Sequence, residues 1–338
     1  MSRPWRGLGP LAAALLLTAC ADGPPAQLPA EPIAYGDAIV VDGEAVPMDP
    51  TDPGRRRVGN FAYAGGLALT SRQTSRLGGL SDLDVTPDGR LIAIGDQADL
   101  LEAQLVLDAQ GRLVGLTEAR ITALKDVTGA DLYAGGPKHY DSEGIARLAD
   151  GTLVVTLEQR DRVLAYPPGG GRPRPGPAPD VRYVDNKGME AAMAAPEAGP
   201  DAYRVGLEAT GELFLCRLSA DCVPDGRVDL EGSELVAMDA LPDGGLAYLF
   251  RSFSPLTGNI VRLRLTDRDG QTIDTLEIRR PLTVDNLEGL AAVPLAGGGV
   301  RFYLVSDDNF GFYQGRRTGQ RTLLLAFDWQ GPAQARAN

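Results

Sequence analysis

Short apolar runs alternate with Asp-Gly turns along most of the chain. One stretch shows the pattern in full: Gly144–Leu148 is apolar, Asp150-Gly151 turns, and Leu153–Leu157 is apolar again. Acids bracket the pair, Asp141 and Glu143 before it and Glu158 after it. Runs of this length, bounded by turn residues, predict paired β-strands. Four echoes follow the same plan. They run from Ser81 through Asp88-Gly89 to Asp96, from Asn186 and Glu190 to Glu208, from Ser233 through Asp243-Gly244 to Arg251, and from Asp285 and Glu288 to Asp307 and Asp308.

Each echo is followed by further alternating runs, which predicts four strands per repeat. The second repeat reads as 143–148, 152–157, 162–166 and 181–184, with the Pro/Gly tract 167–179 as an exposed outer loop. The third reads as 190–194, 203–206, 212–216 and 226–230, and the fourth as 235–240, 246–250, 259–265 and 272–278. The fifth has only three strands, 287–293, 300–305 and 322–329. Phe61–Leu69 is an isolated strand able to supply the missing one, and residues 38–46 suit an edge hairpin.

Equivalent positions Ser81, Glu143, Glu190, Val236 and Glu288 are spaced 62, 47, 46 and 52 residues apart. Propeller blades of known repeat families run about 40–50 residues. The expected fold is therefore all-β, a β-propeller of five four-stranded blades closed by the N-terminal strand. A sixth blade built from residues 31–70 is the alternative within that fold, and a β-sandwich is the alternative to it. Closure has a physical motive, because an open ring leaves a sheet edge unpaired.

Composition changes the picture at the N-terminus. Arg3, Arg6 and the short apolar run Leu11–Leu17 end in Leu17-Thr18-Ala19-Cys20, which reads as a lipoprotein signal over residues 1–19 with Cys20 as the lipid anchor. An ordinary secretory signal is the alternative. Residues 20–58 then form a tether and N-terminal extension, 59–330 the propeller and 331–338 a tail. The expected location is the cell envelope, facing the periplasm, on an outer-membrane lipoprotein. The chain would touch membrane only through its lipid and stay monomeric. Cys216 and Cys222 remain, and an oxidising compartment favours a local disulfide between them.

Net charge is −12 and the pI about 4.7, which argues against a nucleic-acid partner. In a propeller the inner strands line a central channel, so the residues that open them share one mouth. Glu143, Glu190 and Glu288 fall there, with Asp141, Asn186, Asp285 and Asn286 beside them. The second strands end at the same mouth with Asp96, Glu158, Glu208, Arg251 and Asp307. So many carboxylates call for a bound hard cation, an arginine or protonation. Each acid taken singly could equally cap a strand or pair with a neighbour. Transition-metal chemistry on imidazole or thiolate is excluded by ligand supply, since His139 is the only histidine. No nucleotide-binding loop or Gly-x-Ser-x-Gly elbow is present.

Several stretches together resemble one family. These are Gly78-Gly79-Leu80-Ser81-Asp82-Leu83, Asp141-Ser142-Glu143-Gly144-Ile145-Ala146, Asn186-Lys187-Gly188-Met189-Glu190, Arg251-Ser252-Phe253-Ser254, Asp285-Asn286-Leu287-Glu288-Gly289-Leu290 and Ser306-Asp307-Asp308-Asn309-Phe310. The chain is similar to the phytase-like family, named for an esterase-like activity of phytase, over about residues 60–329. Lys187 departs from that pattern, where a small residue is expected. The resemblance implies a secreted or periplasmic propeller hydrolysing phosphoesters or esters. Glu143, Glu190, Glu288 and Arg251 are then catalytic candidates. Asp141, Glu143, Glu190, Asp285, Glu288, Asp307 and Asp308 are candidate ligands of Ca²⁺, and Arg251, Asp96 and Glu158 are candidate contacts of a small anionic or ester substrate. A non-catalytic binding propeller and a lactonase-like Ca²⁺-dependent hydrolase are the competing expectations.

Overall fold

A computed structural model describes residue 36 and residues 38–313 and 316–331. The signal segment, Cys20, the 21–30 tether and nearly all of the 331–338 tail lie outside the described residues. Five sheets form the ring. Blade 1 comprises Leu80–Val85, Arg90–Gly95, Asp99–Leu107 and Leu113–Ala123; blade 2 Ser142–Arg147, Leu153–Leu157, Arg162–Tyr166 and Arg174–Gly176. Blade 3 comprises Ala191–Ala194, Ala202–Gly206, Glu212–Arg217 and Ala220–Arg227; blade 4 Glu234–Ala240, Leu246–Ser254, Gly258–Thr266 and Thr272–Ile278. The inner three strands of blade 5 are Asn286–Pro294, Val300–Asp307 and Leu323–Trp329.

Phe61–Thr70 supplies the fourth strand of blade 5, running antiparallel to Leu323–Trp329 with Phe61 opposite Trp329 and Ala68 opposite Leu323. The ends of the chain thus close the ring. Asp42–Ala45 adds a further strand outside it, and Arg57–Val58 folds back on Phe61–Ala62. Of residues 38–46, expected as an edge hairpin, Asp42–Ala45 make an edge strand on Phe61–Thr70. Just before it, the Ile39 amide donates to Ala119 O of blade 1's outermost strand at 2.8 Å. Met48 is buried, and its carbonyl accepts from the Thr283 amide. The extension is part of the propeller wall from residue 36 on.

Packing sets the blade number. Buried apolar side chains fall into five clusters, one in each gap between neighbouring blades. Val236, Leu249 and Leu263 of blade 4 meet Phe302 and Phe327 of blade 5, and Leu83 and Leu101 of blade 1 meet Tyr303 and Leu324 of blade 5. The ring is full at five blades, so residues 31–70 build no sixth.

Two outer strands differ from expectation. Blade 2 takes Arg174–Gly176, from within the Pro/Gly tract, and residues 181–184 contribute only an isolated bridge from Val184 to Lys187. Blade 3 takes Ala220–Arg227 ahead of the 226–230 run. Outermost strands face solvent and need no apolar pattern, so hydrophobic periodicity misplaces them. Cys216 and Cys222 are disulfide-bonded across that outer pair.

Candidate functional site at the propeller mouth

The inner strands carry a local irregularity that aims the site residues. In blades 1, 2, 4 and 5 the pairing of first and second strands slips near its start, leaving Ser81, Glu143-Gly144, Val236 and Glu288 as extra residues. Such bulges bend the strand and redirect a side chain. The glycine after each bulged glutamate admits the neighbouring blade. A Cβ on Gly144 would lie 2.6 Å from Glu190 O, and one on Gly289 would lie 2.7 Å from Asp82 Cα.

Asp82 fixes three blades together below the mouth. Its Oδ2 accepts from the Ile145 amide of blade 2 at 3.0 Å, and its Oδ1 from the Leu83 and Leu290 amides at 2.8 and 3.2 Å. Asp239 of blade 4 does the same toward blade 5, accepting from the Ala292 amide at 2.7 Å. Burial pushes both carboxyls up, Asp82 well above the usual range and Asp239 to about 7.

The second strands end alike. The Asp96, Glu158 and Glu208 amides donate to Gly79, Asp141 and Gly188 carbonyls at 2.9, 2.8 and 3.1 Å. Arg251 and Asp307 occupy the same place in blades 4 and 5, opposite Glu234 and Asn286. One backbone device thus turns five side chains toward a single cavity of about 1040 Å³.

Its walls are acidic all round, with cations set among the acids on the side of blades 4 and 5. Asp96, Asp141, Glu143, Glu158, Glu190 and Glu208 line the side of blades 1 to 3. Arg251 stands across from them. It donates to Glu288 and to Asn286 Oδ1 (2.7 Å), with Glu234 Oε2 at 3.4 Å and Glu208 Oε1 at 3.7 Å. Asn286 Nδ2 donates to Glu288 Oε1 at 2.9 Å and Asp307 Oδ2 at 3.0 Å. Lys187 turns inward, bonding Glu234 with Glu208 Oε1 at 3.5 Å. Arg280 and Arg321 also line the cavity, and both are exposed.

Electrostatics follow from this crowding. Burial, then the charges of neighbouring acids, pushes Asp96, Glu143 and Glu190 well above the ordinary carboxyl range. Burial raises Glu158 and Glu208 to about 7, the latter opposed by Lys187 and Arg251. Glu288 rises to about 8 by burial against the pull of Arg251. Burial also takes Asp285 and Asp307 to about 6. Glu234 alone is held low, because Lys187 and Arg251 outweigh its burial.

Two groups of carboxylates place one oxygen from each member within 4.8 Å of the others: Asp141, Glu143 and Glu158, and Glu158, Glu190 and Glu208. Carboxylate oxygens gathered this closely suit a hard cation such as Ca²⁺ or Mg²⁺. Asp285, Glu288 and Asp307 belong to neither group. Asp285 lines the cavity, but its Oδ2 accepts from the Arg321 amide at 3.0 Å.

Asp308 is not brought to the mouth. Its Oδ1 accepts from the Gly79 and Phe310 amides at 2.8 and 3.1 Å, tying blade 5 to blade 1. Val236 is 1 % exposed in the core between blades 4 and 5, and Glu234, two residues earlier, takes its place at the cavity. Glu234 was legible as the register partner of Arg251. Arg280 and Arg321 sit in loops outside the repeat, where no sequence signal marks them. His139 does not line the cavity.

Similar folds are found among solved structures. A putative gluconolactonase is 13% identical, with 91% of this chain and 94% of that chain covered at a TM-score of 0.43. Regucalcin from Agrobacterium tumefaciens, described as a calcium-binding protein, is 12% identical over 86% and 91% at 0.45. A virginiamycin B lyase from Staphylococcus aureus is 10% identical over 86% and 99% at 0.40. At such scores these likenesses carry no argument about chemistry. No curated protein matches the sequence. The sequence profile described as "Esterase-like activity of phytase" matches residues 75–310, a span that holds all of the cavity's acids together with Arg251, and the chain belongs to this Phytase-like family.

Proposed function

We propose that the protein hydrolyses phosphoesters or related esters at the propeller mouth, with Ca²⁺ held on its acidic side. The observation that carries this reading is one cavity in which a cluster of converging carboxylates adjoins Arg251 and Lys187. A bound divalent cation supplies Lewis acidity toward a phosphoryl or carbonyl oxygen and lowers the pKa of water. Asp141, Glu143, Glu158, Glu190 and Glu208 are the residues that would hold it. Arg251 and Lys187, with Arg280 and Arg321 at the rim, attract an anionic substrate and orient it.

Glu288 is placed as a general acid. Arg251 and Asn286 both donate to its Oε1. Burial pushes its pKa to about 8, so near neutral pH it would keep a proton, on the Oε2 that neither Arg251 nor Asn286 bonds. That proton can be delivered to a departing oxygen.

The test is turnover of an aryl phosphate, an aryl ester and a lactone, each with Ca²⁺ and with chelator. Activity should appear with Ca²⁺ on one substrate class and fall at least 100-fold in Glu288→Gln. No turnover above that variant on any of the three defeats the reading and leaves a binding propeller. A lactone preference would select the lactonase-like form. We further propose a monomeric, periplasm-facing lipoprotein anchored through Cys20. Metabolic labelling with a radioactive fatty acid should mark the chain and fail with Cys20→Ser.

A further inference from the structure

We infer that the acidic side of the mouth is a two-cation centre, in which Glu158 bridges one ion held with Asp141 and Glu143 and a second held with Glu190 and Glu208. This deepens the hydrolase reading by fixing how many ions the site takes and which residues divide them.

Glu158 carries the inference because it alone belongs to both groups of converging carboxylates. A single ion would leave one group unneutralised. Five carboxylates face two divalent ions, so five negative charges meet four positive ones, with Lys187 and Arg251 beside Glu208. A carboxylate has two oxygens and can serve two ions at once, the usual role of a bridging acid in two-metal sites.

The second group also holds a buried oxygen that lacks a partner. Glu190 is 9 % exposed, and Arg251 is the cation that acts on its charge. Glu208 is 3 % exposed, and while its Oε1 faces Lys187 and Arg251, its Oε2 is buried with no hydrogen-bond partner. Buried carboxylate oxygens are ordinarily satisfied, and an orphan of this kind calls for an ion or a proton. Surrounding contacts hold the frame in place: Gly188 donates to Glu158 Oε1 at 2.7 Å, and the Glu158 and Glu208 amides are fixed to Asp141 and Gly188 carbonyls.

The experiment is equilibrium dialysis of chelator-stripped full-length protein against Ca²⁺, with bound metal counted by elemental analysis. Two ions per chain are expected for the wild type, and one for each of Asp141→Asn and Glu208→Gln. Glu158→Gln should bind no more than one, with affinity reduced at least 10-fold. Circular dichroism of each stripped variant checks folding, and the two single-group variants keep the test open should Glu158→Gln fail to fold. One ion per wild-type chain, none at all, or two ions retained by Glu158→Gln overturns the inference. Turnover is scored separately. Two ions without hydrolysis would defeat the hydrolase reading alone, and hydrolysis with one ion would defeat this one alone.

Discussion

Replacing Glu158 with Gln in the metal-free protein should stabilise it at pH 8 and leave it unchanged at pH 4.5. The carboxyl titrates at about 7 in the fold against an ordinary 4.5, chiefly through burial. A group whose folded pKa is raised favours the fold while protonated. That contribution is complete below about 4.5 and is lost as pH rises through 7. The shift of about 2.5 units, at 1.36 kcal/mol each, sets an upper value near 3 kcal/mol. Gln keeps an acceptor for the Gly188 amide and removes the charge, so about 2–3 kcal/mol should be recovered at pH 8. For a chain of this size that is a rise in Tm of about 5 °C. The assay is thermal unfolding in chelator at pH 4.5 and 8, repeated in excess Ca²⁺. With Ca²⁺ the variant's advantage should shrink, because ligand at 100 times Kd stabilises the wild type by about 2.7 kcal/mol and the variant, having lost a ligand, gains less. A variant less stable than wild type at pH 8 in chelator would refute the reasoning, since it would mean that the charge is already compensated without metal.

Three further outcomes follow from the ring. Asp82→Ala leaves the Ile145 and Leu290 amides without their acceptor across two blade junctions, and at about 1–3 kcal/mol per buried amide the loss in urea unfolding should be roughly 2–6 kcal/mol. Gly144→Ala drives a methyl group to within 2.6 Å of a backbone carbonyl, so it should cost about 1–3 kcal/mol and displace Glu143, seen as lower Tm together with weaker Ca²⁺ binding; full retention of both contradicts the close approach. Arg251→Met strands Glu288, leaves Glu208 with Lys187 alone, and should cost about 3–5 kcal/mol at pH 8. The loss should shrink at pH 5, where Glu288 is protonated, and a pH-independent loss would mean that packing rather than charge is at stake.

The core of this architecture is written in the sequence because its inner strands are buried on both sides. Apolar runs such as Leu153–Leu157 and Phe302–Val305 cannot be anything but interior, and turns rich in glycine fix their register. That register was enough to bring Glu143, Glu288, Asp96, Glu158 and Arg251 to one mouth. The outer strands were misread where burial vanishes: Ala220–Arg227 is exposed along most of its length and carries no pattern to detect. Asp307 and Asp308 are chemically identical neighbours, and only the turn after the strand decides that one faces the cavity while the other caps a backbone. Val236 misled for a related reason. The bulge occurs in blade 4 as elsewhere, but the acid stands two residues ahead of it, at Glu234.

Phe61–Thr70 must wait for its partner. Its register mate Leu323 follows Thr70 by 253 residues, and synthesis at about 5–20 residues per second takes roughly 10–50 s to cover that gap. Through that interval the edge that Leu323–Trp329 covers stays open even where the strand packs on blade 1, a hazard for association between nascent chains. The mouth draws acids from all five blades, so its full charge pattern needs the closed ring. A polypeptide ending before Leu323 should remain monomeric only with a chaperone and take up no Ca²⁺. Completion of the last strand is therefore the event that turns a row of independent hairpins into a binding site.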